Sequence, residues 1–170
     1  YVPFAHYSAA WCYYEIGDKL QALERFDYVV KKYPLESVAA MAEYRISEIF
    51  YEEKNYAKAR LGLYNFLKKH PLHDKRQDAY YMLADSSFQL GEYRDALRNF
   101  EAALSTEEKP AWKEFARYKK GRTYFALKEF DKAIEMFSIC SEKTIDSNIR
   151  AACLFGEAES YEKLGDLEAA

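Results

Sequence analysis

Four prolines and six glycines in 170 residues leave few points at which the chain must break or turn. That scarcity excludes collagen-like and low-complexity architectures and points to long helices joined by short links. Cysteine is also scarce. Cys12, Cys140 and Cys153 stand in none of the paired spacings of a metal site. An odd number at helical positions reads as small core residues. A Cys140–Cys153 bridge stays open, because both fall on core-facing positions of neighbouring helices and spacing alone does not give their separation. Excess positive charge is absent: 25 Lys and Arg face 28 Asp and Glu, a net charge of −3. No field therefore draws nucleic acid. No apolar run approaches the roughly 20 residues of a membrane span, so no direct membrane insertion is expected. No signal peptide is visible, and a chain opening on Tyr1 rather than Met is expected to be an excerpt.

Residues that carry chemistry are equally sparse. There is no glycine-rich phosphate loop, and no serine stands in a recognisable nucleophile setting. His70-Pro71-Leu72-His73-Asp74 is the one histidine cluster; it lies on a link and lacks a third convincing ligand. Cys12 and His6 are six apart, which is not a contact spacing on a helix, and no orienting partner is evident. The expectation is a protein with no catalytic residues, no metal and no cofactor.

What the chain does have is a period. Ala22, Ala59, Ala96, Ala133 and Ala170 recur every 37 residues. Four places later stand Phe26, Leu63, Phe100 and Phe137; five places earlier, Gly17, Lys54, Gly91, Lys128 and Gly165. Twelve places earlier comes a small column, Ala10, Ser47, Ala84, Gly121 and Ala158. A further column is wholly aromatic: Tyr7, Tyr44, Tyr81, Tyr118 and Phe155. Another reads Tyr14, Tyr51, Phe88, Phe125 and then Glu162.

Each period holds two helical patterns. In the third copy Ala79, Met82, Leu83 and Ser86 follow one helical face, and Tyr93, Ala96, Leu97, Phe100 and Leu104 a second. Gly91 between them suits the left-handed residue that ends a helix. Pro34 and Pro71 break the chain between periods; Ser37 and Asp74 are expected to cap the helices that follow. Pro110 is expected to open the next helix, and the fourth link offers Asp146, Ser147 and Asn148 as caps. The small Ala10 and Ala22 columns should face each other, because paired helices approach closely only where side chains are small.

These residues — Ala84, Phe88, Gly91, Tyr93, Ala96, Phe100 and the linking prolines — resemble the tetratricopeptide repeat. The resemblance covers four repeats, approximately 3–36, 37–73, 74–110 and 111–147, and a partial fifth, 148–170, in a single solenoid over 1–170. It implies an all-α fold, a right-handed superhelical solenoid of antiparallel helix pairs. The period departs from the family's usual 34, and the extra residues lie in the inter-repeat links. That elongated form, with phrases such as ALERFDYVVKKYP (22–34) and ARLGLYNFLKKHP (59–71), is similar to bacterial envelope repeat proteins, the Tol-Pal coordinator and outer-membrane β-barrel assembly lipoprotein families. It implies periplasmic or outer-membrane association, with a cytoplasmic setting as the alternative.

In the family the first helix of each pair lines a concave face. Tyr7 and Tyr14 are seven residues apart and share one helix face. The resemblance therefore implies a partner-binding groove formed by Tyr7, Trp11, Tyr14, Tyr44, Glu48, Tyr51, Tyr81, Asp85, Phe88, Tyr118, Arg122 and Phe125. Phe4, Met41, Asp78, Phe115 and Ala152 should lie near it. Glu15, Glu48, Glu52, Asp78 and Asp85 make its first half acidic, and Arg122 and Lys163 temper this later, so a peptide with a basic or amino-terminal segment is expected. The carboxylate clamp of chaperone-binding members is excluded, since its Lys and Asn slots hold Tyr7 or Tyr44 and Trp11 or Glu48. The same tyrosines serve equally as inter-repeat packing.

Three roles are thus expected. The first is an adapter for a peptide or partner helix. The second is a scaffold that self-assembles through its ends, because the motif is cut at Ala170. The third is a regulatory module of a larger protein. The register itself is testable by thermal melting: Ala96→Leu should destabilise by roughly 1–3 kcal/mol through overpacking, and Phe100→Ala by about 3–5 kcal/mol. Unchanged melting of both variants would refute it.

Overall fold

The computed structural model describes residues 1–105 and 111–165. Among the described residues there are nine helices and no strand. They are α1 (Val2–Glu15), α2 (Lys19–Lys32), α3 (Ser37–Glu52), α4 (Tyr56–Lys69), α5 (Arg76–Gln89), α6 (Tyr93–Leu104), α7 (Lys113–Ala126), α8 (Phe130–Lys143) and α9 (Ser147–Leu164). The second helices open at Lys19, Tyr56, Tyr93 and Phe130, each one 37-residue period after the last. Contacts divide the chain into two compact units, Tyr1–Ser86 and Ser87–Ala170.

The turn inside each helix pair explains the Gly/Lys column. Gly17, Gly91 and Gly165 have φ of 83°, 79° and 79°, and Lys54 and Lys128, in the same slot, have φ of 56° and 61°. All five carry the left-handed conformation that ends a helix. For lysine it is a strained one. The next residues, Asp18 and Asn55, cap α2 and α4: Asp18 accepts from the Gln21 N–H at 3.1 Å and Asn55 from the Lys58 N–H at 3.3 Å. Side-chain oxygens thereby satisfy backbone donors the helix leaves open.

Between pairs, α2 and α4 stop at Lys32 and Lys69, just before Pro34 and Pro71, as the missing proline N–H requires. Two expected caps are corrected. Ser37 is the first residue inside α3, whose cap position is Glu36 with no side-chain hydrogen bond. Asp74 lies two residues ahead of α5 and accepts from the Lys75 N–H at 2.9 Å. Asp146 does cap α9, accepting from Asn148 and Ile149. Pro110 and Ala170 lie outside the described residues.

In the first unit, one cluster joins Ala10 of α1, Ala22, Phe26 and Val29 of α2, and Val38, Ala42 and Ile49 of α3. A second joins Ala59, Leu63, Phe66 and Leu67 of α4 to Ala79, Met82 and Leu83 of α5. In the second unit Ala133, Phe137, Cys140 and Cys153 form the core of α8 and α9. Gly121 and Gly156 flank the Phe137 ring so closely that a Cβ on either would come within 2.6 Å of it. Alanine, tolerated at Ala10 and Ala84 in the column of Gly121, has no room at either position.

Cys12 corrects the expectation of three core thiols. It is exposed on α1, whereas Cys140 and Cys153 are fully buried and joined as a disulfide. The strained lysine turn makes a measurable prediction. Lys54→Gly should raise stability by about 0.5–1 kcal/mol, the relief of left-handed strain exceeding glycine's entropic cost. A drop in the urea midpoint would contradict it.

Candidate functional site

The first helices of the Tyr1–Ser86 unit bring their aromatic columns together through side-chain hydrogen bonds that run from helix to helix. Tyr14 on α1 donates to Glu52 on α3. Tyr51 on α3 donates to Asp85 on α5 at 2.7 Å. Asp85 and Tyr44 are themselves nearly fully buried, so they stand behind the face, while Tyr7, Trp11, Tyr14, Glu48, Tyr51 and Tyr81 remain partly open.

Arg45, which sequence reasoning did not single out, sits at the centre of this arrangement. Its guanidinium lies 4.4 Å from the Trp11 ring centroid and 5.6 Å from that of Tyr44, a cation–π geometry. It pairs with Glu48 one turn along α3. Burial is the largest influence and discourages its charge, yet the hydrogen bond to Glu48 and the charge of Glu48 act together against it and hold the guanidinium pKa above its ordinary value. The spacing Arg45 to Glu48 was the available signal, since residues three apart meet on a helix.

The expected acidity of this face is therefore largely internalised. Glu48 faces Arg45, Glu52 receives Tyr14 and Lys19, Asp78 receives Lys75 at 3.2 Å, and Asp85 receives Tyr51. Glu15 is exposed. The tyrosines feel the carboxylates in turn. Burial, then neighbouring Glu52, Glu48 and Asp85 respectively, raise the pKa of Tyr14, Tyr44 and Tyr51. Burial and Asp85 push Tyr81 up to about 12.

The remaining expected site residues belong to the Ser87–Ala170 unit. Lys119 lies 5.2 Å from the Phe88 ring and 5.3 Å from that of Phe115. Arg122 lies 5.0 Å from the Phe125 ring and pairs with Glu159 at 2.6 Å. Tyr118 packs on Phe137 with centroids 6.0 Å apart. This unit's first-helix face is aromatic and cationic, where that of the other unit is hydroxylic and acidic. Of the outlying residues, Phe4, Met41 and Phe115 are exposed.

The histidine link is used internally. Glu43 of α3 receives both Lys69 and His70, the latter at 2.8 Å, and the Phe66 ring lies tilted against His70 and edge-on to His73. Among the described residues no group of His, Cys, Asp and Glu could hold a metal ion, and no helix is long and apolar enough to cross a membrane.

Residues 3–92 match the family model described as YfiO, outer membrane lipoprotein, and residues 81–139 match a tetratricopeptide repeat model. A search of curated protein sequences found no significant match. Among solved structures, MamA superposes with a TM-score of 0.80 at 20% identity, over 98% of this chain and 84% of that one. YrrB, a tetratricopeptide protein with an unusual peptide-binding site, has a TM-score of 0.80 at 20% identity, over 96% of this chain and 78% of its own. A tetratricopeptide repeat protein from Parabacteroides merdae has a TM-score of 0.78 at 17% identity, over 98% of this chain and 62% of its own. The helix pairs are tetratricopeptide repeats.

The raised tyrosines predict an alkaline limit to the fold. Tyr81 keeps its proton in the folded state where the unfolded chain loses it near the ordinary value of 10.0. Its contribution is intact below pH 10 and is lost as pH rises from 10 toward about 12. Absorbance titration at 295 nm should show a group of tyrosines ionising late and together with unfolding. Tyr51→Phe, which leaves Asp85 without one donor, should lower stability by about 1–3 kcal/mol and bring that transition to lower pH.

Proposed function

Because this chain belongs to the YfiO outer membrane lipoprotein family, we propose that it is a protein-interaction scaffold of the bacterial envelope. Its contact surface is the aromatic face of α1, α3 and α5, which takes a peptide or a partner's helix. The observation that carries this reading is the set of half-open rings, Tyr7, Trp11, Tyr14, Tyr51 and Tyr81, on three successive first helices. Half-buried aromatic rings combine large contact area with few rotatable bonds, so little entropy is lost when a ligand covers them. Hydrogen bonds to Glu52 and Asp85 hold two of them in place before any ligand arrives, and preorganisation of this kind lowers the cost of association.

The face also sets a preference among ligands. Arg45, Lys19 and Lys75 pair with Glu48, Glu52 and Asp78. The carboxylates there still exceed the cations, with Glu15 exposed and Asp85 buried behind the face, so a small negative excess remains. A peptide bearing Lys, Arg or a free amino terminus among apolar residues is the matching chemistry. The peptide-binding site named for YrrB is a property of that protein and lends this reading support by fold alone. The family supports the envelope setting in the same way.

Trp11 supplies the test. A library of 12–20-residue segments from envelope proteins, screened by anisotropy, should yield binders enriched in basic and apolar residues. Trp11→Ala combined with Tyr14→Phe should weaken them at least tenfold while far-UV circular dichroism is unchanged. Full affinity in that folded variant, or selection of acidic peptides, would reject the face as the site.

A further inference from the structure

Cys140 and Cys153 occupy two columns of the 37-residue period. Cys140 stands one step after Ala103, itself preceded by Phe66 and Val29; Cys153 stands one step after Ala116, preceded by Ala79 and Ala42. The first column ends a second helix and the second column starts the following first helix. At the first boundary Val29 and Ala42 share one buried cluster; at the second, Phe66 and Ala79 share another. Ala103 and Ala116 are both fully buried on α6 and α7, which pack together. The two slots are therefore the seam between successive repeats. At the fourth boundary alone both slots are cysteine, with Cα atoms 6.3 Å apart and both side chains wholly buried. That separation is within the range a disulfide spans.

The link at this boundary is also different. Lys143 to Ser147 contains no proline, unlike the links of Pro34 and Pro71. Its backbone is held by Arg150, which donates to the Thr144 carbonyl at 2.6 Å and the Ser141 carbonyl at 3.2 Å.

We propose that Cys140 and Cys153 form a covalent seam staple, made in an oxidising compartment before α9 closes onto α8, which thereafter locks this repeat boundary against reduction. The chemistry is thiol–disulfide exchange. One cysteine thiolate attacks a sulfur of an external disulfide and displaces its other sulfur as a thiolate. The second cysteine thiolate then attacks the mixed disulfide, forms the Cys140–Cys153 bond and releases the remaining sulfur. One external disulfide is reduced to two thiols, and the two cysteine protons pass to them. Both sulfurs are wholly buried once the helices have packed, so exchange belongs to folding, and a reductant reaches the bond only through unfolding. The oxidising compartment rests on the envelope reading above, since such bonds persist outside the reducing cytosol; the pairing rests on the repeat register.

Maleimide–polyethylene glycol adducts, counted on acid-quenched and denatured protein, test both parts. Exported protein should give one adduct, from Cys12, and three after denaturing reduction. Without denaturant, millimolar dithiothreitol should leave the single adduct unchanged for hours. Purified reduced protein refolded with oxidised glutathione should also fall to one adduct. Three adducts after that refolding would overturn the pairing. One adduct in vitro but three in exported protein would overturn the compartment while leaving the seam intact. A transplant guards against a fold-specific accident. Val29→Cys with Ala42→Cys, in a Cys140→Ala/Cys153→Ala background, should again give one adduct, and three would refute the shared register. The Cys140→Ala/Cys153→Ala protein should melt about 5–10 °C lower yet bind peptides at the α1–α3–α5 face unchanged, which separates this test from that of the proposed function.

Discussion

Everything in this protein depends on how closely two helices can pass. The slot at the crossing is always small, as Ala10, Ser47, Ala84 and Gly121 show, and the slot beside it on the partner helix is always a large buried group. Phe26, Leu63, Phe100 and Phe137 each fill the space such a crossing leaves. Near Phe137 the fit is tight enough to exclude even a methyl group from Gly121 and Gly156. Interiors packed to this density do not deform gradually. A repeat therefore holds its helix pair in one geometry, and the side chains on the outer side of the first helix inherit that geometry.

That inheritance makes the aromatic face more than a set of sticky rings. Tyr14 and Tyr51 each reach across to the next first helix and end on a carboxylate. The same contact that ties repeat to repeat fixes the ring in orientation. Packing and recognition are then not rival explanations for these residues. The ring flank is buried and the ring face is offered, as suits a side chain with an apolar body and a polar tip. Arg45 extends the principle by laying a cation over Trp11 while neutralising Glu48.

The two units differ in how they spend charge. In the first, hydroxyls and carboxylates meet on the face; in the second, Lys119 and Arg122 lie over phenylalanine rings and Arg122 takes Glu159 as its partner. The second unit also carries the cysteine pair at its repeat seam. Its helices thus add a covalent bond to the packing, caps and hydrogen bonds that both units use.

Periodicity alone determined the helix-pair architecture, the positions of the pairs and the buried columns. A 37-residue recurrence of small and large slots marks a repeat of paired helices, and Gly17 and Gly91 mark its turns by their positive φ. It also located the residues of the aromatic columns. Tertiary structure decided which of them are open, because burial depends on what packs from the neighbouring repeat: Tyr44 and Asp85 sank behind the face while Trp11 and Tyr81 stayed half open. It removed most of the expected acidity by supplying Arg45, Lys19 and tyrosine hydroxyls as partners. It exposed Cys12 and paired Cys140 with Cys153, since a cysteine's fate depends on the distance to another sulfur, which only the meeting of α8 and α9 could set.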